Sequence, residues 1–183
     1  MSNLSDEALI QKIANQDTEA FQELIERFQS LVFNTAYRFV GNVHDAEDLA
    51  QEAFLRVFKN AGRYVPSAKF KTWFLRVVTN LCLDFIKKKK PVLLEEESLL
   101  NIPFGSNPSQ EFEVNERKRT LQQAIQSLKE TQRMALVLHH YEGLKYEEIA
   151  QVMGCSTKAV ESLLVRAKKA LRERLEREYF KLK

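Results

Sequence analysis

The sequence predicts an all-α protein of two small helical domains joined by a flexible acidic linker, the C-terminal domain containing a helix-turn-helix. Three observations carry this. With 5 Gly and 4 Pro in 183 residues, the chain is poor in the turn residues that many-stranded folds need. Apolar residues recur at spacings of three and four along most of it. Charge is distributed unevenly: residues 1–90 hold 13 basic against 11 acidic side chains, 91–113 hold none against 5, and 114–183 hold 15 against 9. Three of the four prolines, Pro91, Pro103 and Pro108, fall in the middle segment. Proline blocks helix continuation and like charges extend a chain, so 91–113 reads as a tether between domains 1–90 and 114–183 that move relative to one another unless a partner clamps them; one helical bundle with a surface loop is the alternative.

Ser5, followed by Asp6 and Glu7, starts a first helix. Asp17 starts a second, with Phe21, Leu24, Ile25, Phe28, Leu31, Val32, Ala36, Phe39 and Val40 on a core face and Gly41 as its stop. A third runs from about Asp45 to Lys59 on Ala46, Leu49, Ala50, Ala53, Phe54, Val57 and Phe58. After a loop with Gly62 and Pro66, a fourth spans about Lys69 to Lys88 with Phe70, Trp73, Phe74, Val77, Leu81 and Phe85 on one side. Past the linker, helices are expected near 112–128, 132–141, 146–153 and 157–178.

Several functional classes are excluded. The longest apolar runs, such as Met134 to Leu138, fall far short of the ~18 residues a spanning helix needs, and no basic leader opens the chain. Cys82 and Cys155 offer neither a disulfide framework nor metal-ligand spacing, so the expected setting is a reducing cytoplasm. His139, His140 and Glu142 do not make a metal site, because consecutive histidines leave a helix in different directions. No phosphate loop or Ser/His/Asp arrangement is present, so no enzyme, cofactor or small-molecule substrate is expected.

Three stretches carry binding chemistry. In Tyr146 to Lys169, Ala150, Gly154 and Val160 stand where a helix-turn-helix needs a small crossing residue, a turn glycine and a branched apolar lock. Ser156 caps the second helix, whose inward face is expected to be Ala159, Val160, Leu163, Ala167 and Leu171. Thr157, Lys158, Glu161, Ser162 and Arg166 are left for DNA bases and phosphates. On the third helix, Asp48, Gln51, Glu52 and Leu55 form one stripe beside the core face, suited to docking on a basic partner helix with Leu55 as anchor. Around the fourth, Arg63, Tyr64, Lys69, Lys71, Trp73, Arg76 and Asn80 interleave basic, amide and aromatic groups as single-stranded DNA binding requires, although the spacing of Trp73 also suits packing.

Taken in order, the run Asp45 to Phe54, the run Phe70 to Trp73 with Asn80 and Asp84, and the helix-turn-helix with Arg166 to Lys168 resemble the extracytoplasmic-function (ECF) class of bacterial sigma factors. The resemblance implies an N-terminal domain that binds core RNA polymerase through Asp48, Gln51, Glu52 and Leu55. The same domain melts the minus-ten promoter element through Arg63, Tyr64, Lys69, Lys71, Trp73, Arg76 and Asn80. It implies minus-thirty-five recognition by Ser156, Thr157, Lys158, Glu161, Ser162 and Arg166, and control by an anti-sigma factor, often membrane-bound, that would hold the protein at the inner membrane. The chain departs from the family pattern at Lys129, Lys145 and Glu161; an acid at the last position accepts from cytosine N4 and repels phosphate. A free-standing helix-turn-helix regulator is the alternative, and it predicts a palindromic site without polymerase.

Overall fold

In a computed structural model, residues 4–65, 69–89 and 119–181 are described, with side chains as far as 177. The linker 91–113 and the loop tip at 66–68 lie outside the described residues. Four helices make the N-terminal half: α1 (Asp6–Ala14), α2 (Thr18–Val40), α3 (Val43–Asn60) and α4 (Phe70–Lys89), with a 3₁₀ turn Ala61–Arg63 after α3. In the C-terminal half, α5 (119–126) and α6 (Glu130–Leu136, continued by a π turn Val137–Tyr141) lead into α7 (Tyr146–Met153) and α8 (Thr157–Lys181).

The helix ends follow from capping chemistry. Ser5 Oγ accepts from Ala8 N at 3.2 Å and Asp17 Oδ1 from Ala20 N at 2.9 Å, each satisfying an amide the helix leaves open. Gly41, at φ +78°, closes α2 and sends its N–H to Tyr37 O. Asn42 Oδ1 accepts from Asp45 N at 3.0 Å, so α3 begins at Val43, two residues ahead of the expected start at Asp45. The apolar periodicity of that helix marks its buried face but not its capped first turn.

Phe28, Phe54, Phe70 and Phe74 pack at ring-centroid distances of 5.2–5.7 Å in the N-terminal core. Leu24, Phe28, Val32, Ala36 and Phe39 of α2 are buried, whereas Phe21, Ile25, Leu31 and Val40, expected on the same face, are only half-buried. Twenty-three residues of helix present a wider apolar stripe than three neighbouring helices cover.

The two helical halves on either side of the linker also pack against each other. One buried cluster runs from Leu9 in α1 through Phe74 and Cys82 in α4 to Met134, Ile149 and Leu164 in the C-terminal half. The helix α7 lies on α4, and the π turn lies on α2. The two expected helical halves are therefore present, and they share one buried cluster. Nothing in the charge pattern of 91–113 reports that, because the complementary surfaces lie on α2, α4, α6 and α7 and are far apart in sequence.

Candidate polymerase and promoter interfaces

On α3, Asp48 and Gln51 are exposed and Glu52 half-exposed, its Oε1 accepting from Arg56 Nε at 2.8 Å. Leu55 is 48% exposed, far more than its neighbours on the core face, so the four expected residues do make one accessible stripe. Beside it runs a groove of about 690 Å³ between α2 and α3, floored by Phe21, Ile25, Phe33, Ala50 and Phe54 and edged by Gln29, Glu47, Gln51 and Leu55. Sequence reasoning missed the α2 wall. Two of its residues, Phe21 and Ile25, read from the sequence as core, and Phe33 lies outside the helix's main core stripe.

Helix α4 sorts its candidates by face. Lys69, Trp73, Arg76 and Asn80 stand at spacings of four, three and four, hence on one side; Lys69, Arg76 and Asn80 are exposed and Trp73 half-buried. Trp73 meets Tyr64 edge-on at 5.2 Å and Phe70 at 5.7 Å, so part of its ring is packing, as its spacing indicated. Burial raises the pKa of the Tyr64 hydroxyl. Arg63 is exposed in the 3₁₀ turn. Lys71 lies off this side and donates from Nζ to Glu142 O at 3.3 Å, across to the C-terminal half. A second cleft of about 370 Å³ opens next to Tyr64, lined by Glu7, Ile10 and Gln11 of α1 and its C-cap Asn15, together with Ala61 and Gly62. The contribution of α1 there was not legible from sequence.

In the C-terminal half, α7 ends at Gly154, whose φ of +65° turns the chain and whose N–H meets Ala150 O. The residue at 154 must tolerate this left-handed conformation. Ser156 Oγ accepts from Ala159 N at 3.2 Å and so caps α8. Lys145 offers no side-chain acceptor before α7; Glu148 reaches back instead, accepting from Lys145 N at 2.9 Å.

Val160 and Ala167 are buried in α8 as expected, but the residue locked between them is Leu164, with Leu163 only half-buried. Thr157, Lys158, Glu161, Ser162 and Arg166 are exposed, joined by Lys168, Lys169 and Arg172. From 157 to 177 there are seven basic side chains against three acidic ones. Within that surface Val165 is 62% exposed, a branched apolar group one turn beyond Glu161 and Ser162.

Comparison with known proteins puts both halves in one family. Residues 24–92 match the model of sigma-70 region 2, and residues 118–171 match sigma-70 region 4. The chain is 31% identical over 176 residues to the ECF RNA polymerase sigma factor SigW of Bacillus subtilis, a match covering 91% of this chain and 94% of that protein. The chain belongs to the ECF sigma factors. Such a factor binds core RNA polymerase and directs initiation to particular promoters. A second ECF relative, SigE of Mycolicibacterium smegmatis, is 37% identical over 85% of this chain and 62% of its own length.

Two solved structures share the sigma-factor fold. CnrH, determined with the cytosolic domain of CnrY, superposes with a TM-score of 0.68 at 23% identity over 93% of this chain and 97% of its own. RpoE of Bartonella quintana, determined with the anti-sigma factor NepR, gives 0.68 at 21% identity over 85% and 96%. Sigma factors are not an enzyme class. Among the described residues no group of His, Cys, Asp and Glu is placed to hold a metal ion, and no helix is long and apolar enough to cross a membrane.

Proposed function

We propose that this ECF sigma factor docks on core RNA polymerase through the α3 stripe of Asp48, Gln51, Glu52 and Leu55 and the groove beside it. The observation that carries this is Leu55, an exposed leucine among carboxylates at the edge of an apolar groove. An amphipathic helix with basic flanks would bury Leu55 as its central contact, while the acids set its orientation. Replacing Asp48→Arg and Leu55→Ala together is expected to weaken capture of core polymerase about 30-fold or more, the scale of losing one strong anchor. The circular dichroism of the variant should be unchanged. Undiminished capture would reject the surface.

The minus-ten element then meets the face of Lys69, Trp73, Arg76 and Asn80, where cations hold the backbone and Asn80 reads an unpaired base. The turn with Arg63 and Tyr64 leads into the loop that holds a flipped base, and the cleft beside Tyr64 is large enough for one. The minus-thirty-five duplex meets the first turns of α8. The cap leaves the amides of Thr157 and Lys158 for a phosphate, Glu161 and Ser162 face base edges, and Val165 is placed for a thymine methyl.

In this reading the chain acts by binding, and no step calls for catalytic chemistry, a cofactor or a small-molecule substrate. Control by an anti-sigma factor is supported by the company its structural relatives keep, since RpoE was captured with NepR. Such a partner, if membrane-bound, would hold a cytoplasmic sigma factor at the inner membrane.

A further inference from the structure

The groove between α2 and α3 is the uncovered remainder of the α2 apolar stripe. Phe21, Ile25 and Phe33 are half-buried along one wall, and Leu55 stands 48% exposed on the other. Two packed helices that leave such a furrow accept a third helix laid along it, with apolar side chains as its anchors. The rim decides which helix fits. Glu47 and Asp48 are exposed on the α3 side, and Glu52 follows one turn on, its carboxylate shared with Arg56. A rim of carboxylates selects lysine and arginine beside the apolar anchor.

One helix of that kind belongs to the chain itself. Val160, Leu164 and Ala167 pack α8 onto the rest of the C-terminal half, chiefly α6 and α7, and its outer side faces away from that core. There Val165 is 62% exposed, and Lys168, Lys169 and Arg172 follow it at three, four and seven residues, on the same face and all exposed. These side chains and Glu173 outline a depression of about 500 Å³. The pair of Lys169 with Glu173, 4.0 Å apart and more than half exposed at both ends, contributes little and exchanges its partner easily.

We propose that, away from polymerase, a second copy of this chain lays its α8 in the α2–α3 groove, with Val165 in the apolar furrow and Lys168, Lys169 and Arg172 against Glu47, Asp48 and Glu52. This rests on the reading of the groove as a site for a basic amphipathic helix. The two surfaces are complementary in charge and in apolar content, and every copy carries both. Because α8 is held in its own chain by α6 and α7, the contact forms between copies. The segment 91–113, with five acidic side chains and no basic one, is repelled by the same rim. The contact is head-to-tail, since a surface of one copy meets a different surface of the next; repeated about a two-fold axis it closes a dimer. Its occupancy follows mass action, so core polymerase and minus-thirty-five DNA, which use the same two surfaces, displace it.

The test is sedimentation velocity of the full chain over a wide range of concentration, without polymerase or DNA. The wild type is expected to pass from monomer to dimer as concentration rises. Reversing either surface, by Glu47→Lys with Asp48→Lys or by Lys168→Glu with Lys169→Glu, should raise the dissociation constant about tenfold or more. Mixing the two variants brings each groove to a helix of opposite charge, and combining all four substitutions in one chain does the same. Both should restore association, which a misfolded variant would not do. A wild type that stays monomeric throughout, or reversed variants that associate as before or do not recover on mixing, overturns the contact. Capture of core polymerase is read separately. Association with rescue, but full capture by the Asp48→Arg and Leu55→Ala variant, supports the contact and rejects the groove as the polymerase site. Loss of capture by that variant in a chain that never associates retains the polymerase site and overturns the second copy as its occupant.

Discussion

Glu7 shows how one side chain ties local structure to packing. In the first turn of α1, its carboxylate accepts from its own backbone N–H and from Phe70 N at 3.4 Å, where α4 begins. These donors favour the charged form, and its pKa lies below the ordinary 4.5. A depressed carboxyl contributes stability that is present above its unfolded pKa and disappears as pH falls through the folded value. Glu7→Gln is therefore expected to cost stability near neutrality and to make the chain less sensitive to acid below about pH 4.5, as the ordinary value sets the upper edge of the window. Parallel urea unfolding of both proteins at pH 7 and at pH 3.5 checks this, since the gap between them should shrink at the lower pH. The Ser5 cap and the acidic first turn could be read from sequence, but the partner at Phe70 lies 63 residues away and could not.

At the scale of the element, α8 is both a core helix and the proposed reading head. Its periodicity identified Val160 and Ala167 as buried, and Leu163 and Leu164 are adjacent leucines between them. Only the angle at which α8 crosses α6 and α7 decides which one points inward, and that angle is a tertiary property. It selects Leu164 and leaves Glu161, Ser162, Val165 and Arg166 outside. These exposed residues make separable predictions. Arg166 lies one turn beyond Ser162, where a phosphate is nearer than a base edge, so Arg166→Ala should weaken binding to all duplexes and lower the salt slope by about one. Glu161→Lys replaces an acceptor for cytosine N4 with a donor for guanine and should change which base is preferred, by about 1–3 kcal/mol at that position. Selection from a randomised minus-thirty-five library at two salt concentrations distinguishes these effects. An unchanged profile for Glu161→Lys removes it from the reading set.

For the whole molecule, the fold class and the exposed stripes on α3, α4 and α8 were legible because each follows from spacing along the chain. The groove wall on α2, the cleft wall on α1 and the seam between the halves were not, because each pairs residues from distant helices. The seam has a thermodynamic consequence. Met134 is fully buried in the cluster common to both halves, and its sulfur meets Thr79 Oγ1 of α4 at 3.5 Å. A shared core makes each half part of the other's environment, so the chain is expected to unfold in one transition. The single tryptophan, Trp73, reports on the N-terminal half, and hydrogen exchange at the Ile149 and Val160 amides reports on the other. In wild type their urea midpoints should coincide. Met134→Ala removes buried volume at the seam, at a cost of about 2–5 kcal/mol, and should lower both midpoints together or split them with the C-terminal half leading. Separate midpoints in wild type would mean that the continuous core does not couple the halves energetically.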